Sequence, residues 1–420
     1  MIRGLYAAMW LIAAPIVLAR LVWRSRKQRG YLAQLGERFG SYAPAPEVPR
    51  IWIHAVSVGE TRAALPLVEE LHARHPDHRI LVTHMTPTGR ATGEELFGDR
   101  VERAWLPYDM GFAVRGFLRH YRPRMGIVLE TEIWPRLFDE AARAGIPVVL
   151  ANGRLSERSA RLYARAPALT RWAFASLAGV AAQTGSDARR FREVGAADPV
   201  VTGNVKFDLA VPDAMRELGR RFRERFGAGR TIWVAGSTRD GEEALLLEAF
   251  ARLAPPPDVL LVIVPRHPQR FAEVARIAES RSFAFTRRSA ESQVTAATRV
   301  VVGDSMGEML AYYEAADVVI MGGSLLPFGG QNLIEPCALG RPVVVGPHTY
   351  NFSEAAEGAI AAGAAVRVAD AKEALRAALA IGPAQRAEMG GRASAFVAAH
   401  RGAVKRLVDW IEETAASKRR

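Results

Sequence analysis

Carboxylates, cations and paired glycines recur in this chain directly after short apolar runs, where a strand would hand over to a loop. The first such segment is Val56-Ser57-Val58-Gly59-Glu60-Thr61. Gly59 relaxes a tight turn, and N–H groups at a helix start can hold an anion. Glu60, in the first helical turn, either complements the helix dipole or acts as a general base. A base needs its carboxylate aimed at a substrate hydroxyl and its pKa raised by partial burial. Leu129-Glu130-Thr131-Glu132-Ile133-Trp134-Pro135 places two carboxylates at i and i+2 after another apolar run, costly to bury without partners. Glu130 falls at the strand end, where catalytic groups are found. Either carboxylate could instead bind an Arg or cap the next helix. Lys206, in Gly203-Asn204-Val205-Lys206-Phe207-Asp208, carries a point charge suited to a carboxylate or phosphate, or a surface salt bridge with Asp208.

Further along, Arg266 and His267 stand between Pro265 and Pro268 at the end of the longest apolar strand candidate. The prolines stiffen the turn, Arg266 suits a bidentate grip on phosphate, and His267 beside it is a fair ligand contact. Gly303-Asp304-Ser305-Met306-Gly307-Glu308-Met309 follows a strand and enters a helix, so the amides of Met306 and Gly307 could hold an anion or a base edge. Gly322-Gly323-Ser324 and Gly329-Gly330-Gln331-Asn332-Leu333-Ile334-Glu335-Pro336 let backbone approach a ligand closely. Asn332 and Glu335, three apart, are expected on one helix face, with the carboxylate placed for ribose hydroxyls. No D-x-D, G-x-x-x-x-G-K-[ST] or G-x-G-x-x-G is present. Transfer from a nucleotide sugar with neither metal nor cofactor is the chemistry left.

The elements that must position these residues alternate strand and helix. Apolar runs at 51–55, 80–84, 126–130, 147–151 and 179–183 read as parallel strands buried on both faces, with amphipathic stretches at 61–75 and 136–144 between them. The pattern recurs with runs at 231–236, 259–264, 299–303, 317–322 and 342–346. Residues 205–230, with Pro212 and many charges, read as the connection between domains. The expectation is an α/β chain of two doubly wound, Rossmann-like halves with a ligand cleft between them, the polar segments lying at strand carboxyl ends.

The chain has 420 residues, 49% hydrophobic and 24% charged, which suits two globular domains. A formal charge of +12 implies an anionic partner. Arg154, Arg158, Arg161 and Arg165 contribute to it, or are one solvated helix face. Without zinc-finger spacing or an aromatic RNA-binding signature, nucleic acid is not the expected partner. Cys337 is the single cysteine, so no disulfide closes within the chain and a small buried thiol is expected. Residues 5–19 are almost wholly apolar, Arg20 interrupts them, and Arg24, Arg26, Lys27 and Arg29 follow. That order suits a membrane-associated helix with the rest of the chain in the cytoplasm, rather than a signal peptide. Its length is at the short end for a span, and Pro15 and Arg20 also allow it to lie in the interface.

The ordered segments HAVSVGET (54–61), THMTPTGR (83–90), LPYDM (106–110), ETEIWP (130–135), ANGRLSERS (151–159), GNVKFD (203–208), PRHPQRF (265–271), GDSMGEM (303–309), GGQNLIEP (329–336) and GPHTYNF (346–352) resemble the Kdo (3-deoxy-D-manno-octulosonic acid) transferases of lipopolysaccharide synthesis. The resemblance implies a GT-B fold and an inverting, metal-independent transfer of Kdo from CMP-Kdo to a lipid A precursor, lipid IVA, on the cytoplasmic face of the inner membrane with its anionic lipid. It implies a membrane helix with basic flank at 1–30, an acceptor domain at 31–210 and a CMP-Kdo-binding domain at 211–420. Glu60 falls on the family's proton acceptor, and Glu130 and Lys206 on groups that stabilise the transition state. Arg266, His267, Met306, Gly307, Glu308, Asn332, Leu333, Ile334 and Glu335 fall on the segments that bind CMP. Gln331 stands where some relatives have His. The rival readings are another GT-B enzyme, a GT-B-like nucleotide-sugar epimerase, which would not need the apolar N-terminus, and a membrane-anchored binding protein, which would not need a base at Glu60.

Overall fold

A computed structural model describes residues 2–28, 30–44, 46–290 and 294–418. The chain divides into two compact units, Met1–Asp208 with Arg401–Arg420, and Leu209–His400.

The first unit is built on seven parallel strands, β1 (Arg50–His54), β2 (Arg79–His84), β3 (Val101–Trp105), β4 (Pro123–Leu129), β5 (Val148–Gly153), β6 (Gly179–Ala182) and β7 (Val200–Val201), in the order β3-β2-β1-β4-β5-β6-β7. Successive side chains of β1 enter different cores. Trp52 joins Leu81, Val128 and Leu150 on one face, while Ile51 and Ile53 join Ile127 and Val149 on the other. Burial on both faces is why these strands read as unbroken apolar runs. β3 escapes that pattern because it is an edge strand. Its Glu102 lies only half-buried and accepts a 2.6 Å bond from Arg50 Nε.

The second unit repeats the plan with β8 (Thr231–Thr238), β9 (Val259–Pro265), β10 (Phe285–Arg287), β11 (Val300–Val302), β12 (Val318–Met321), β13 (Val343–Val345) and β14 (Ala365–Arg367), ordered β10-β11-β9-β8-β12-β13-β14. The outer strands β10 and β14 are three residues long, too short to carry a periodic signal.

Two stretches differ from the sequence expectation. Most of 205–230 is not a connection. It forms the helix Asp213–Phe226, which buries Phe222 and Phe226 in the second unit. Gly219 lets this helix approach closely, since a Cβ there would lie 2.4 Å from Glu314 Cβ. At the other end, residues 401–420 do not close the second unit but return to the first. The helix Ala403–Ser417 buries Val404, Leu407, Val408 and Ile411 in the core beneath β1 and β4. Asp208 fixes its start, accepting the N–H groups of Gly402 and Val404 at 2.6 Å each.

The N-terminal helix runs Ile2–Lys27 through Pro15 and belongs to the first unit. By length and composition it is apolar enough to cross a membrane. Of the basic residues expected after it, Arg29 and the Lys27 side chain lie outside the described residues.

Removing residues 401–420 should therefore unfold the first unit rather than trim a tail. Losing four buried aliphatic side chains costs about 6–12 kcal/mol at ~1.5–3 kcal/mol each, as much as a whole domain's stability. The truncated chain is expected to aggregate or to lose the first unit's cooperative transition in a urea melt followed by circular dichroism.

Candidate active site

Each sheet turns back beside its first strand, between β1 and β4 and between β8 and β12. Loops leaving a parallel sheet at such a point diverge and open a crevice at the strand carboxyl ends. Glu60 follows β1 and Glu130 follows β4, so the two carboxylates share the first unit's switch point.

Ser57 caps the helix Val58–Ala63 in extended conformation, its Oγ accepting the Glu60 N–H. In return the Glu60 carboxylate accepts from Ser57 Oγ and from the Val56 N–H, each at 2.8 Å, the reciprocal logic of a capping box. The side chain expected either to cap the helix or to act as a base is thus engaged in the cap. Glu60 is buried. Burial foremost, then the charge of Glu130 and a lesser one from Glu132, raise its pKa to about 7 against the opposing pull of its two hydrogen bonds. A carboxylate poised there can take a proton near neutral pH.

Glu130 takes the left-handed conformation, φ 60°, a cost of order 1 kcal/mol or more for a non-glycine residue. Its N–H remains tied to Ala151 O at 3.0 Å, and its Oε1 accepts Lys206 Nζ at 2.8 Å. Lys206 stands on a turn held by asparagine side chains. The Val205 N–H reaches Asn152 Oδ1 at 3.1 Å, and the Lys206 N–H reaches Asn204 Oδ1 at 3.0 Å. The alternative partner, Asp208, is engaged by the C-terminal helix. Glu132 is raised by burial and accepts Trp134 Nε1–H at 3.1 Å. His54 and His84, at the ends of β1 and β2, were not singled out by sequence. Burial lowers them to about 3 and about 4, so both stay neutral. Each ties its strand to the neighbouring one, His54 Nδ1 meeting Thr83 Oγ1 and His84 Nδ1 meeting Ala55 O, both at 2.9 Å.

In the second unit Arg266 follows β9, its N–H donating to Thr238 O at 2.9 Å. His267 is exposed. Partial burial, then the neighbouring Arg239, Arg266 and Arg270, lower its pKa. Met306 is exposed and Gly307 left-handed. The helix begins only at Met309, with Glu308 as its cap, so those amides belong to the preceding loop. Glu308 accepts from Arg288 at 3.1 Å. Asn332 and Glu335 do not share a helix face, because the helix starts at Ile334. They meet through a hydrogen bond instead, Asn332 Nδ2 to Glu335 Oε1 at 3.1 Å, while Asn332 Oδ1 accepts the Ile334 N–H. The side chains of Leu333 and Ile334 are buried in the core, leaving only backbone to face a ligand.

Sequence reasoning missed the residue that joins the loops of this second switch point. Glu242, fully buried, accepts the N–H of Arg239 after β8 at 2.8 Å. After β12 it accepts Gly323 at 2.6 Å, Leu325 at 2.9 Å and Leu326 at 3.3 Å. Burial raises its pKa while these four bonds oppose the rise. The loops come so close that a Cβ on Gly322 would lie 2.3 Å from Ser237 O. Beside it Glu243, equally buried, holds Arg270 at 3.0 Å and so steadies the turn after Arg266 and His267. The signal for both was the GEE triplet at 241–243, which looks like any solvated helix start.

The family described as 3-Deoxy-D-manno-octulosonic-acid transferase (kdotransferase) matches residues 33–209. The 3-deoxy-D-manno-octulosonic acid transferase of Bordetella pertussis is 44% identical over 98% of this chain and 99% of its own. That of Haemophilus influenzae is 37% identical over 98% of each. Among solved structures, a glycosyltransferase from Rickettsia africae (TM-score 0.61, 13% identity, 88% of this chain and 98% of that one) and a UDP-GlcNAc 2-epimerase from Neisseria meningitidis (TM-score 0.61, 14% identity, 87% and 100%) share the fold. It is of the GT-B type, and it does not by itself choose the reaction.

Glu242→Ala leaves four backbone donors without an acceptor. At about 1–3 kcal/mol per unsatisfied buried group, the second unit should lose at least ~4 kcal/mol of stability, read from its urea midpoint. Glu242→Gln, which keeps one carbonyl oxygen but turns an amide donor toward N–H groups, should recover only part of it.

Proposed function

The chain belongs to the 3-deoxy-D-manno-octulosonic acid transferase family, and on that premise we propose that it moves Kdo from CMP-Kdo to lipid IVA, the lipid A precursor, with inversion and without a metal, at the cytoplasmic face of the inner membrane. As a member of that family it is a glycosyltransferase acting in lipopolysaccharide core synthesis. The observation that carries the mechanism is the state of Glu60, buried, oriented by Ser57 and Val56, and raised to about 7.

Glu60 accepts the proton of the acceptor sugar hydroxyl as that oxygen attacks the anomeric carbon of Kdo. The bond between that carbon and the phosphate oxygen breaks, and CMP leaves with the electron pair. A single displacement of this kind inverts the anomeric centre. Charge growing on the leaving phosphate is offset by Arg266 and by loop amides such as those of Met306 and Gly307. Asn332 and Glu335 take the ribose hydroxyls, and His267 can hydrogen-bond to the donor. Lys206, held by Glu130, stabilises negative charge as it develops. The acylated, phosphorylated acceptor suits both the apolar N-terminal helix and the basic surface.

CMP release from CMP-Kdo, with and without lipid IVA, tests the reading directly. Release that ignores the acceptor would contradict it. Glu60→Gln should lower turnover by about 10²–10⁴ while CMP affinity stays unchanged. In the wild type, kcat/KM should climb through about pH 7 as Glu60 loses its proton. The sign is opposite for stability. The folded state holds that proton more tightly than the unfolded chain, so the wild type loses stability as pH rises from 4.5 to about 7. Glu60→Gln should not show that slope in thermal melts across the same window.

Arg266→Ala should weaken CMP binding through the phosphate, and Glu335→Ala through the ribose. Calorimetry with CMP, and with cytidine lacking the phosphate, should show the Arg266 defect only for CMP and the Glu335 defect for both.

A further inference from the structure

The N-terminal helix meets two demands that exclude one another if it spans a bilayer. One face is docked lengthwise on the first unit. The Arg3 guanidinium sits 2.6 Å from Asp139, and the Tyr6 hydroxyl donates to Asp109 at 2.7 Å. Tyr6 meets Trp172 edge-on and Trp10 meets Tyr108, with ring centroids 5.6 and 6.0 Å apart. Leu21 is buried farther along. From Arg3 to Leu21 the docked length is about 27 Å at ~1.5 Å per residue. The opposite face presents Leu5, Leu11, Ile12, Ile16 and Trp23, exposed to 68%, 79%, 74%, 65% and 54%. Water is a poor solvent for such a face.

A spanning helix is surrounded by about 30 Å of hydrocarbon. With this docking it would draw in Asp109, Asp139 and the helix Pro135–Arg143, whose Arg136 and Glu140 pair at 3.0 Å. Charged groups at that depth cost several kcal/mol each. Were the helix to detach and span alone, the buried Asp109 and Asp139 would lose Tyr6 and Arg3 as partners. Both demands are met if the helix lies flat, with its inner face on protein and its outer face about 5–10 Å into the acyl boundary. Arg20, Arg24 and Arg26 then lie at the level of anionic headgroups, where each basic residue contributes about 1 kcal/mol.

We infer that the N-terminal helix does not cross the membrane but lies in the plane of an anionic bilayer surface, as a half-embedded element of the first unit. The inference rests on the membrane-surface reading above and fixes its geometry. It also connects lipid to the candidate site. The Asp109 carboxylate that holds Tyr6 accepts the N–H groups of Arg136 and Leu137 at 2.9 and 2.7 Å, and so caps the helix that follows Glu130 and Glu132.

Topology can be read in inverted inner-membrane vesicles, whose cytoplasmic face is outward, carrying the full chain with Gly4→Cys or Gln28→Cys. Gly4 is exposed with open space around it. Cys337 is buried and gives no background. A membrane-impermeant maleimide should label both variants to the same extent before and after detergent lysis. Labelling of Gly4→Cys only after lysis, with Gln28→Cys labelled throughout, would mean that the helix spans. The inference would then fail while membrane attachment stood. Variants that do not sediment with the vesicles would overturn both. Either way the CMP-release assay judges the transfer reaction separately.

Discussion

Taking a carboxylate out of water costs several kcal/mol unless hydrogen bonds or a cation replace the lost hydration. Five carboxylates in this chain meet that cost where the backbone changes direction, and the groups that satisfy them tie distant segments together. Asp208 holds the C-terminal helix. Asp109 holds the N-terminal helix and caps the helix after Glu130 and Glu132. Glu242 joins the loops after β8 and β12. Glu130 fixes Lys206. Glu60 closes the turn after β1 on itself.

These five differ in what surrounds them, and the difference separates the structural ties from the candidate site. Glu242 accepts four backbone N–H groups and Asp208 two, and both act as ties between distant segments. Glu60 is bonded only within its own turn, and it shares its buried surroundings with Glu130 and Glu132. Burial and like charge together leave it able to bind a proton near neutral pH. The neutral histidines His54 and His84 fit this arrangement.

The fold supplies the places and not the reaction. A transferase and an epimerase share it with this chain at 13% and 14% identity. Two parallel sheets, each turning back beside its first strand, offer two crevices at strand carboxyl ends, and what stands there sets the chemistry. Here the first unit offers a buried carboxylate of raised pKa, a second carboxylate and a lysine, and the second offers arginine, loop amides and an Asn–Glu pair. The lengthwise-docked N-terminal helix adds a third condition, since the Asp109 it engages is among the groups that hold the segment bearing Glu130 and Glu132.

Much of this was legible in the residues alone. Strands buried on both faces must be apolar throughout, so β1, β4, β8 and β9 stand out as runs, and the polar segments after them mark the strand ends. Glu60, Glu130 and Lys206 could be named from those positions. Edge and short strands could not, because β3 keeps charges on its water-facing side and β10 and β14 lack the length for a period. Nor could pairings be assigned. Lys206 has Asp208 two residues away, yet pairs with Glu130 across 76 positions. Glu242 meets Gly323 across 81, and Asp208 meets Gly402 across 194. A charged residue in a sequence looks the same whether it ends in water or in the core. Only the packing of the sheets, which decides what lies within 3 Å of each carboxylate, turns the surface-like residues Glu242, Asp109 and Asp208 into the ties of the two units.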